Sequence, residues 1–200
     1  LQLLPMRQMP IFAGYAAIDF GNTSSALVLS EANERDKFHV VPADVLTKGP
    51  VAGRPVQTAL RITAIKPPLK PGGFFHYKAF IGSQSLEEVD AGWLVLGAKR
   101  LLSDRKKQTA GDGEVVVIGN EMHRVPTEDP AEVYISHMLH GMFFHRQSRP
   151  QSVAVTCPTT FTGSEVARLK RTVARSFLRA EGRAASTFRD ATTDSYVPLV

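Results

Sequence analysis

The chain has 200 residues, of which 43% are hydrophobic and 22% are charged. This is the composition of a globular protein with a sizeable core, and it excludes a disordered or fibrous chain. No apolar run approaches the roughly 18 residues that a membrane-crossing helix needs, so the sequence predicts no membrane partner. The single cysteine, Cys157, excludes an intrachain disulfide and a cysteine-rich zinc module. Because the first residues also lack a signal-peptide pattern, we expect a cytoplasmic protein.

Basic residues outnumber acidic residues by 24 to 19, which gives a formal net charge of +5. They cluster at 99–107 and at 168–183. A basic surface can bind phosphate, nucleic acid or an acidic protein, but a basic run is usually the solvated face of a helix. Because the arginine stripe of the second cluster has no interleaved aromatic side chains for base stacking, we expect no nucleic-acid partner.

The first part of the chain predicts three strands joined by short turns. The segments 15–20, 25–29 and 37–42 are apolar, and small polar residues separate them. Short connections of this kind favour a meander, in which neighbouring strands run antiparallel.

The central part of the chain, 43–126, is punctuated by proline and glycine. Strand-like pieces occur at 58–62 and 114–118, and we predict a helical piece at 91–102. Because apolar residues recur throughout, the stretch is predicted to be an α+β subdomain inserted into one lobe that spans 1–200, and not a linker.

A helix is predicted over 129–146, where apolar side chains repeat at the 3.6-residue period. Asp129 can cap it, Pro130 occupies the first helical position, and Glu132 completes a capping box. A short buried strand follows at 152–156.

A second helix is predicted over 164–180. Its apolar face is expected to pack against the sheet and contains Val166, Leu169, Val173 and Phe177. The opposite face, expected to point away from the sheet, contains Arg168, Arg171, Arg175 and Arg179. A further apolar run begins at 196.

This order of elements predicts an α/β fold with one mixed sheet (β-β-β-α-β-α) and helices packed on it. The crossover rule for parallel strands places the strand at 152–156 parallel to the first strand, in the same sheet.

The first turn of the chain has the most informative motif, Ile-Asp-Phe-Gly-Asn-Thr-Ser-Ser. A strand brings Asp19 to its end, and Gly21 allows a ligand close to the backbone. Asn22, Thr23 and Ser24 then present polar side chains and backbone N–H groups in a concave turn that suits phosphate oxygens. Because Asp19 would repel a bare triphosphate, the site needs a cation, and Mg²⁺ held through water molecules is suited to it. An ordinary hairpin turn remains the alternative.

Several segments together resemble the actin, sugar-kinase and Hsp70 ATPase superfamily, and they are most similar to its Hsp70 side. The turn at 19–25 looks like the first phosphate loop of that superfamily. The other similar segments follow in the expected order over about 140 residues, at 53–60, 80–82, 96–102 and 153–161.

The resemblance implies the first lobe of an ATP-binding and ATP-hydrolysing protein with a ribonuclease-H-like sheet. Asp19 would position Mg²⁺ and take part in catalysis, and the residues Gly21, Asn22, Thr23 and Ser24 would hold the β- and γ-phosphates. A second lobe of the same protein would complete the site, so residues 1–200 alone are expected to be inactive. A protein client is the other partner that the resemblance implies.

One departure from the family leaves two functions open. Leu86 stands where Hsp70 proteins have a lysine that assists hydrolysis. The first function is a chaperone-like or assembly-coupled ATPase. The alternative is a degenerate nucleotide-binding pseudo-ATPase that acts as a scaffold, similar to the actin-like core of large bacterial virulence-associated proteins.

Two other enzyme classes fit the sequence less well. The tripeptide Asp-Phe-Gly at 19–21 also occurs in protein kinases, but the kinase catalytic loop, glycine-rich loop and strand lysine do not accompany it. A ribonuclease-H-like nuclease needs further carboxylates for two metal ions, and 152–158 contains none.

The histidines and the cysteine carry weaker signals. His137, His140 and His145 fall in one predicted helix, but no carboxylate or cysteine is placed with them, so we expect them to pack or to face solvent. Cys157 follows a predicted strand, and we expect it to be a buried structural thiol.

Overall fold

A computed structural model describes residues 10–31, 37–41, 55–69, 73–87, 92–103 and 113–191. Within these ranges the protein is a mixed α/β structure with several sheets and three α-helices. The basic residues at 105–107 and the apolar run that begins at 196 lie outside the described residues.

The ten strands of the described ranges are β1 (Ile11–Phe20), β2 (Ser24–Glu31), β3 (His39–Val40), β4 (Val56–Gln57), β5 (Ala59–Lys66), β6 (His76–Ile81), β7 (Trp93–Leu96), β8 (Glu114–Ile118), β9 (Glu121–Val125) and β10 (Arg149–Val155). The helices are α1 (Gln84–Glu87), α2 (Asp129–Arg146) and α3 (Gly163–Ala191), with a 3₁₀ helix at Ala98–Leu102.

The main sheet has the strand order β10-β1-β2-β3, and β4 also pairs with β2. β1 runs antiparallel to β2 and parallel to β10, and β3 runs antiparallel to β2. The predicted meander and the predicted parallel strand are therefore confirmed. Side chains of β1 alternate between buried and exposed, with Ala16, Ile18 and Phe20 fully buried, because successive residues of a strand point to opposite faces.

Strands β5 to β9 form two smaller sheets, β6-β5-β7 and the hairpin β8-β9. The predicted helical piece at 91–102 is wrong in its first half, which is strand β7 paired with β5. Leu94 and Leu96 of this strand are exposed while Val95 is buried, so the true period is two. Gly97, with a φ of 65°, then turns the chain into the 3₁₀ helix.

Helix α2 lies at the centre of the fold, with its first eight residues all buried. Tyr134 is fully buried, stacks on Phe20 with ring centroids 5.8 Å apart, and donates a hydrogen bond of 3.0 Å to the Gln57 carbonyl. Burial raises the pKa of Tyr134 to about 12. The helix therefore contacts the underside of β1 at the strand end that carries the candidate site.

The predicted capping box of α2 is wrong. Glu128 precedes the helix without a side-chain capping bond, and Pro130 is at the start as expected. Asp129 and Glu132 instead face inward, where the Tyr77 hydroxyl donates to Asp129 and two arginines bind Glu132. A pattern of capping residues is local, and here buried partners from other elements bind the same carboxylates.

A capping box does form at the start of α3. The Thr162 backbone N–H and hydroxyl both donate to the Glu165 carboxylate, at 2.6 Å and 2.7 Å. The helix itself is confirmed and extends beyond the predicted range. These bonds satisfy a donor that the first helical turn would otherwise leave without a partner.

Helix α3 packs mainly on α2, which corrects the expectation that its apolar face covers the sheet. Leu169 and Val173 are buried, whereas Val166 and Phe177 are half-buried. The Phe177 ring meets Phe143 of α2 edge-on, with centroids 5.3 Å apart.

Of the four arginines that were expected to face outward, Arg171 and Arg175 are exposed, whereas Arg168 and Arg179 are half-buried. Arg175 and Arg179 bind opposite oxygens of the buried Glu132 carboxylate, each at 2.6 Å. Arg168 pairs with Glu128 at 3.3 Å. Three of the four arginines on this face of α3 therefore form ion pairs with glutamates in or next to the first turn of α2. Helical periodicity predicts that the face is polar, but it does not show that acidic partners cover it.

A membrane-crossing helix requires length and apolar character together, and no helix in the described part of the chain has both.

Candidate functional site

The site begins where two parallel neighbours, β1 and β10, reach their carboxyl ends. Asp19 is exposed there, one residue before the end of β1. Thr156 follows β10 directly, and its hydroxyl donates a hydrogen bond of 2.7 Å to Asp19 Oδ1. The Thr156 N–H also donates to the Ile18 carbonyl at 2.9 Å, so the ladder continues to this point. The topology therefore places an exposed, oriented carboxylate at the end of the strands where ligands bind in open α/β sheets.

The turn after β1 presents the other predicted site residues. Asn22, Thr23 and Ser24 are exposed, and Gly21 is half-buried. A side chain at Gly21 would put its Cβ 2.1 Å from the Ser24 carbonyl oxygen, so the turn in this form requires glycine. Ser24 already belongs to β2 and pairs with Gln57, which leaves its side chain at the rim of the turn.

Residues next to strands β5 and β7 contact the β1–β2 turn. The Thr58 N–H donates to the Thr23 carbonyl at 2.8 Å, and the Thr58 hydroxyl lies 2.8 Å from the Ser25 hydroxyl. The Gly97 N–H in turn donates to the Thr58 carbonyl at 3.0 Å. At Gly97 an added Cβ would lie 3.3 Å from the Asn22 carbonyl oxygen, a tight approach that positions the 3₁₀ helix against the turn.

Lys99 is a residue of this site that the sequence analysis missed. Its side chain is buried, and its ammonium group donates a hydrogen bond to the Phe20 carbonyl, between Asp19 and the turn. Burial lowers the pKa of Lys99, while the charge of Asp19 raises it in opposition. Lys99 and the exposed Arg100 are adjacent in a basic cluster, and nothing in their spacing distinguishes the two.

Cys157 and Leu86, two other residues of the sequence analysis, are both exposed. Cys157 is exposed next to Thr156, so the expectation of a buried structural thiol is wrong. The strand ends one residue before Thr156, and the chain leaves the sheet at this point with its side chains toward solvent. Leu86 is on the short helix α1 and is 46% exposed.

The described histidine side chains of α2 belong to no group that could hold a metal ion. His137 and His140 are half-buried, and the side chain of His145 lies outside the described residues. Among the described residues, no three or more His, Cys, Asp or Glu side chains are grouped so that they could hold a metal ion.

The donor set at the β1–β2 turn fits the Mg²⁺–nucleotide complex that the motif implies. Mg²⁺ keeps several of its water molecules and is commonly bound by one or two carboxylates together with phosphate oxygens. Asp19 supplies one exposed carboxylate, and Thr156 fixes its orientation. The exposed turn beside it could accept phosphate oxygens at its backbone N–H and hydroxyl groups.

No protein-family model matches the chain, and a search of curated proteins likewise found no match.

Proposed function

We propose that this chain is the first lobe of an ATPase of the actin and Hsp70 superfamily, with a ribonuclease-H-like main sheet. Its β1–β2 turn would bind the β- and γ-phosphates of ATP. Asp19 would hold Mg²⁺ through water molecules, and the turn from Gly21 to Ser24 would contact the phosphate oxygens.

The observation that carries the proposal is the position of Asp19. It lies at the carboxyl end of β1, bound to Thr156 at the end of the parallel strand β10, and a glycine-containing turn follows directly. A carboxylate and a polar turn at neighbouring strand ends supply the cation ligand and the anion cradle that a metal–phosphate complex needs. Tyr134 and Thr58 contact this corner from below and behind, which supports a pre-organised site.

In this proposal catalysis is mainly electrostatic positioning. When bound, Mg²⁺ would offset the charge that develops on the transferred phosphoryl group. Asp19 itself would orient the metal-bound water molecules, with its own orientation maintained by Thr156. The turn would hold the phosphate chain so that a nucleophile supplied from the other side can approach it.

Titration calorimetry with ATP in the presence of Mg²⁺ tests the proposal. One lobe supplies only part of the binding shell, so we expect weak binding, with a dissociation constant on the order of 0.1–1 mM, or about −4 to −5.5 kcal/mol. Asp19→Asn should weaken Mg²⁺-dependent binding at least tenfold. Glu121→Gln is the matched control, because Glu121 is an exposed carboxylate on the β8–β9 hairpin.

The proposal would be contradicted if wild type and Asp19→Asn bound ATP with equal affinity, or if ATP binding did not depend on Mg²⁺. We also expect no turnover by residues 1–200 alone. Mg²⁺-dependent phosphate release that is lost in Asp19→Ala would show that no second lobe is required.

Leu86 favours a second candidate, a nucleotide-binding scaffold without hydrolysis. An aliphatic, half-exposed side chain occupies the position at which the resembling family has its hydrolysis-assisting lysine. A protein that contains both proposed lobes would distinguish the two functions, since a scaffold would bind Mg²⁺–ATP through Asp19 and leave it intact.

A further inference from the structure

Burial of Lys99 behind the turn carries a free-energy cost. A charged ammonium loses hydration when it is buried, and proteins rarely bury lysine without a reason. Lys99 is 8% exposed, and burial lowers its pKa. Its described contacts are the hydrogen bond to the Phe20 carbonyl and the face of the Phe20 ring, whose centroid is 5.9 Å from Nζ.

The fold brings this lysine to the turn through a defined chain of contacts. Gly97, whose positive φ ends β7, starts the 3₁₀ helix and places Lys99 two residues later. The Gly97 N–H binds Thr58, and Thr58 binds the Thr23 carbonyl of the turn. The base of the lysine side chain is therefore fixed relative to the same turn that its ammonium group approaches.

The ammonium group of Lys99 has the charge and the donors to bind an anion beside the turn. Burial disfavours its charged form, and the nearby carboxylate of Asp19 favours it. An ammonium group carries three donors, and the bond to the Phe20 carbonyl uses one of them. A cation in this position would repel a metal ion and attract the phosphate that the metal accompanies.

We propose that the Lys99 ammonium group is a phosphate-binding group of the β1–β2 turn, paired in function with Asp19. This inference rests on the proposed function. Asp19 would serve the metal, and Lys99 would offset the repulsion between the Asp19 carboxylate and the phosphate oxygens. Lys99 thereby makes the turn selective for ligands with a phosphate group.

Pyrophosphate binding tests this proposal with and without Mg²⁺. Lys99→Met removes the charge and preserves the length of the side chain, and we expect at least tenfold weaker binding in both conditions. Asp19→Asn should weaken binding only when Mg²⁺ is present. Lys78→Met is the control for net charge, since Lys78 is exposed on β6, and it should bind as the wild type does.

A spectroscopic measurement on the wild type keeps the test decisive if Lys99→Met fails to fold. The ammonium ¹H–¹⁵N signal of Lys99, assigned by its loss in Lys99→Arg, should shift when pyrophosphate is added. If the wild type binds pyrophosphate but the Lys99 signal does not move, or if folded Lys99→Met binds within twofold of wild type, this inference is overturned and the proposed function stands. If the wild type binds neither pyrophosphate nor Mg²⁺–ATP, both are overturned.

Discussion

Replacing Asp129 with asparagine should stabilise the protein at neutral pH. Asp129 is 2% exposed at the start of α2 and accepts a hydrogen bond from the Tyr77 hydroxyl. Burial raises its pKa from 3.8 to about 6. The hydrogen bond from Tyr77 and the charges of Arg179 and Arg175 oppose the rise, and the charge of Glu132 adds to it. Relative to water, the buried site therefore favours the neutral carboxyl, and at neutral pH the native state holds the carboxylate at a free-energy cost. Asparagine imitates the neutral form and still accepts the tyrosine hydrogen bond.

The magnitude follows from that pKa difference. A change from 3.8 to about 6 corresponds to roughly 3 kcal/mol between the two protonation states. A carboxylate in the first turn of a helix gains about 0.3–1 kcal/mol from the helix dipole, and asparagine loses this gain. Desolvation is the larger effect, so Asp129→Asn should raise the free energy of unfolding by about 2 kcal/mol at pH 7.5.

The sign of the pH dependence is fixed by the raised pKa. The stabilisation from protonated Asp129 is fully present below about pH 4 and is lost as the pH rises through about 6. Urea unfolding of wild type and Asp129→Asn between pH 4 and 7.5 should therefore give stabilities that are similar near pH 4, separate between about pH 4 and 6, and differ by a constant amount above pH 6. A difference that does not change between pH 4 and 6, or a variant less stable than wild type at pH 7.5, would refute the reasoning. Glu121→Gln controls for the loss of one exposed carboxylate.

Three further changes test other contacts. Glu132→Ala leaves two arginines without their buried partner and should cost about 3–5 kcal/mol in urea unfolding, whereas Arg171→Ala should cost less than about 0.5 kcal/mol; equal costs would contradict the ion pairs between α2 and α3. Gly21→Ala forces the backbone of Ser24 to move and should lower stability by about 1–3 kcal/mol, with a matching loss of phosphate binding; wild-type stability and binding would show that the turn tolerates a Cβ. Cys157 should react stoichiometrically with a disulfide reagent in the folded protein without denaturant; protection until unfolding would contradict its exposure.

The strands and helices of the core could be predicted because their signals are local. The antiparallel β1–β2 pair follows from two apolar runs separated by a turn that contains glycine, and α2 follows from its 3.6-residue period. The parallel β10 follows from a rule on crossover connections. The predicted site residues come from the same local reasoning, since a strand end and a turn are contiguous in sequence.

The errors occurred where a local pattern had two structural solutions. The segment that contains Trp93 and Val95 is apolar enough for a helix or a strand, and pairing with β5 selects the strand. Asp129 and Glu132 fit a capping box in sequence, but Tyr77 and the arginines of α3 bind them instead. Exposure of Cys157 depends on where the sheet ends, which the short apolar run did not indicate.

The sequence by itself therefore determined the order and type of most core elements and the polar turn at their first corner, because backbone conformation and hydrophobic period depend on near neighbours. Only the tertiary structure decided which charges meet. Lys99 reaches the Phe20 carbonyl across 79 positions of sequence, and Arg179 reaches Glu132 across 47. A charged residue has no periodic signal that names its partner, so such pairs emerge only when packing brings distant elements together.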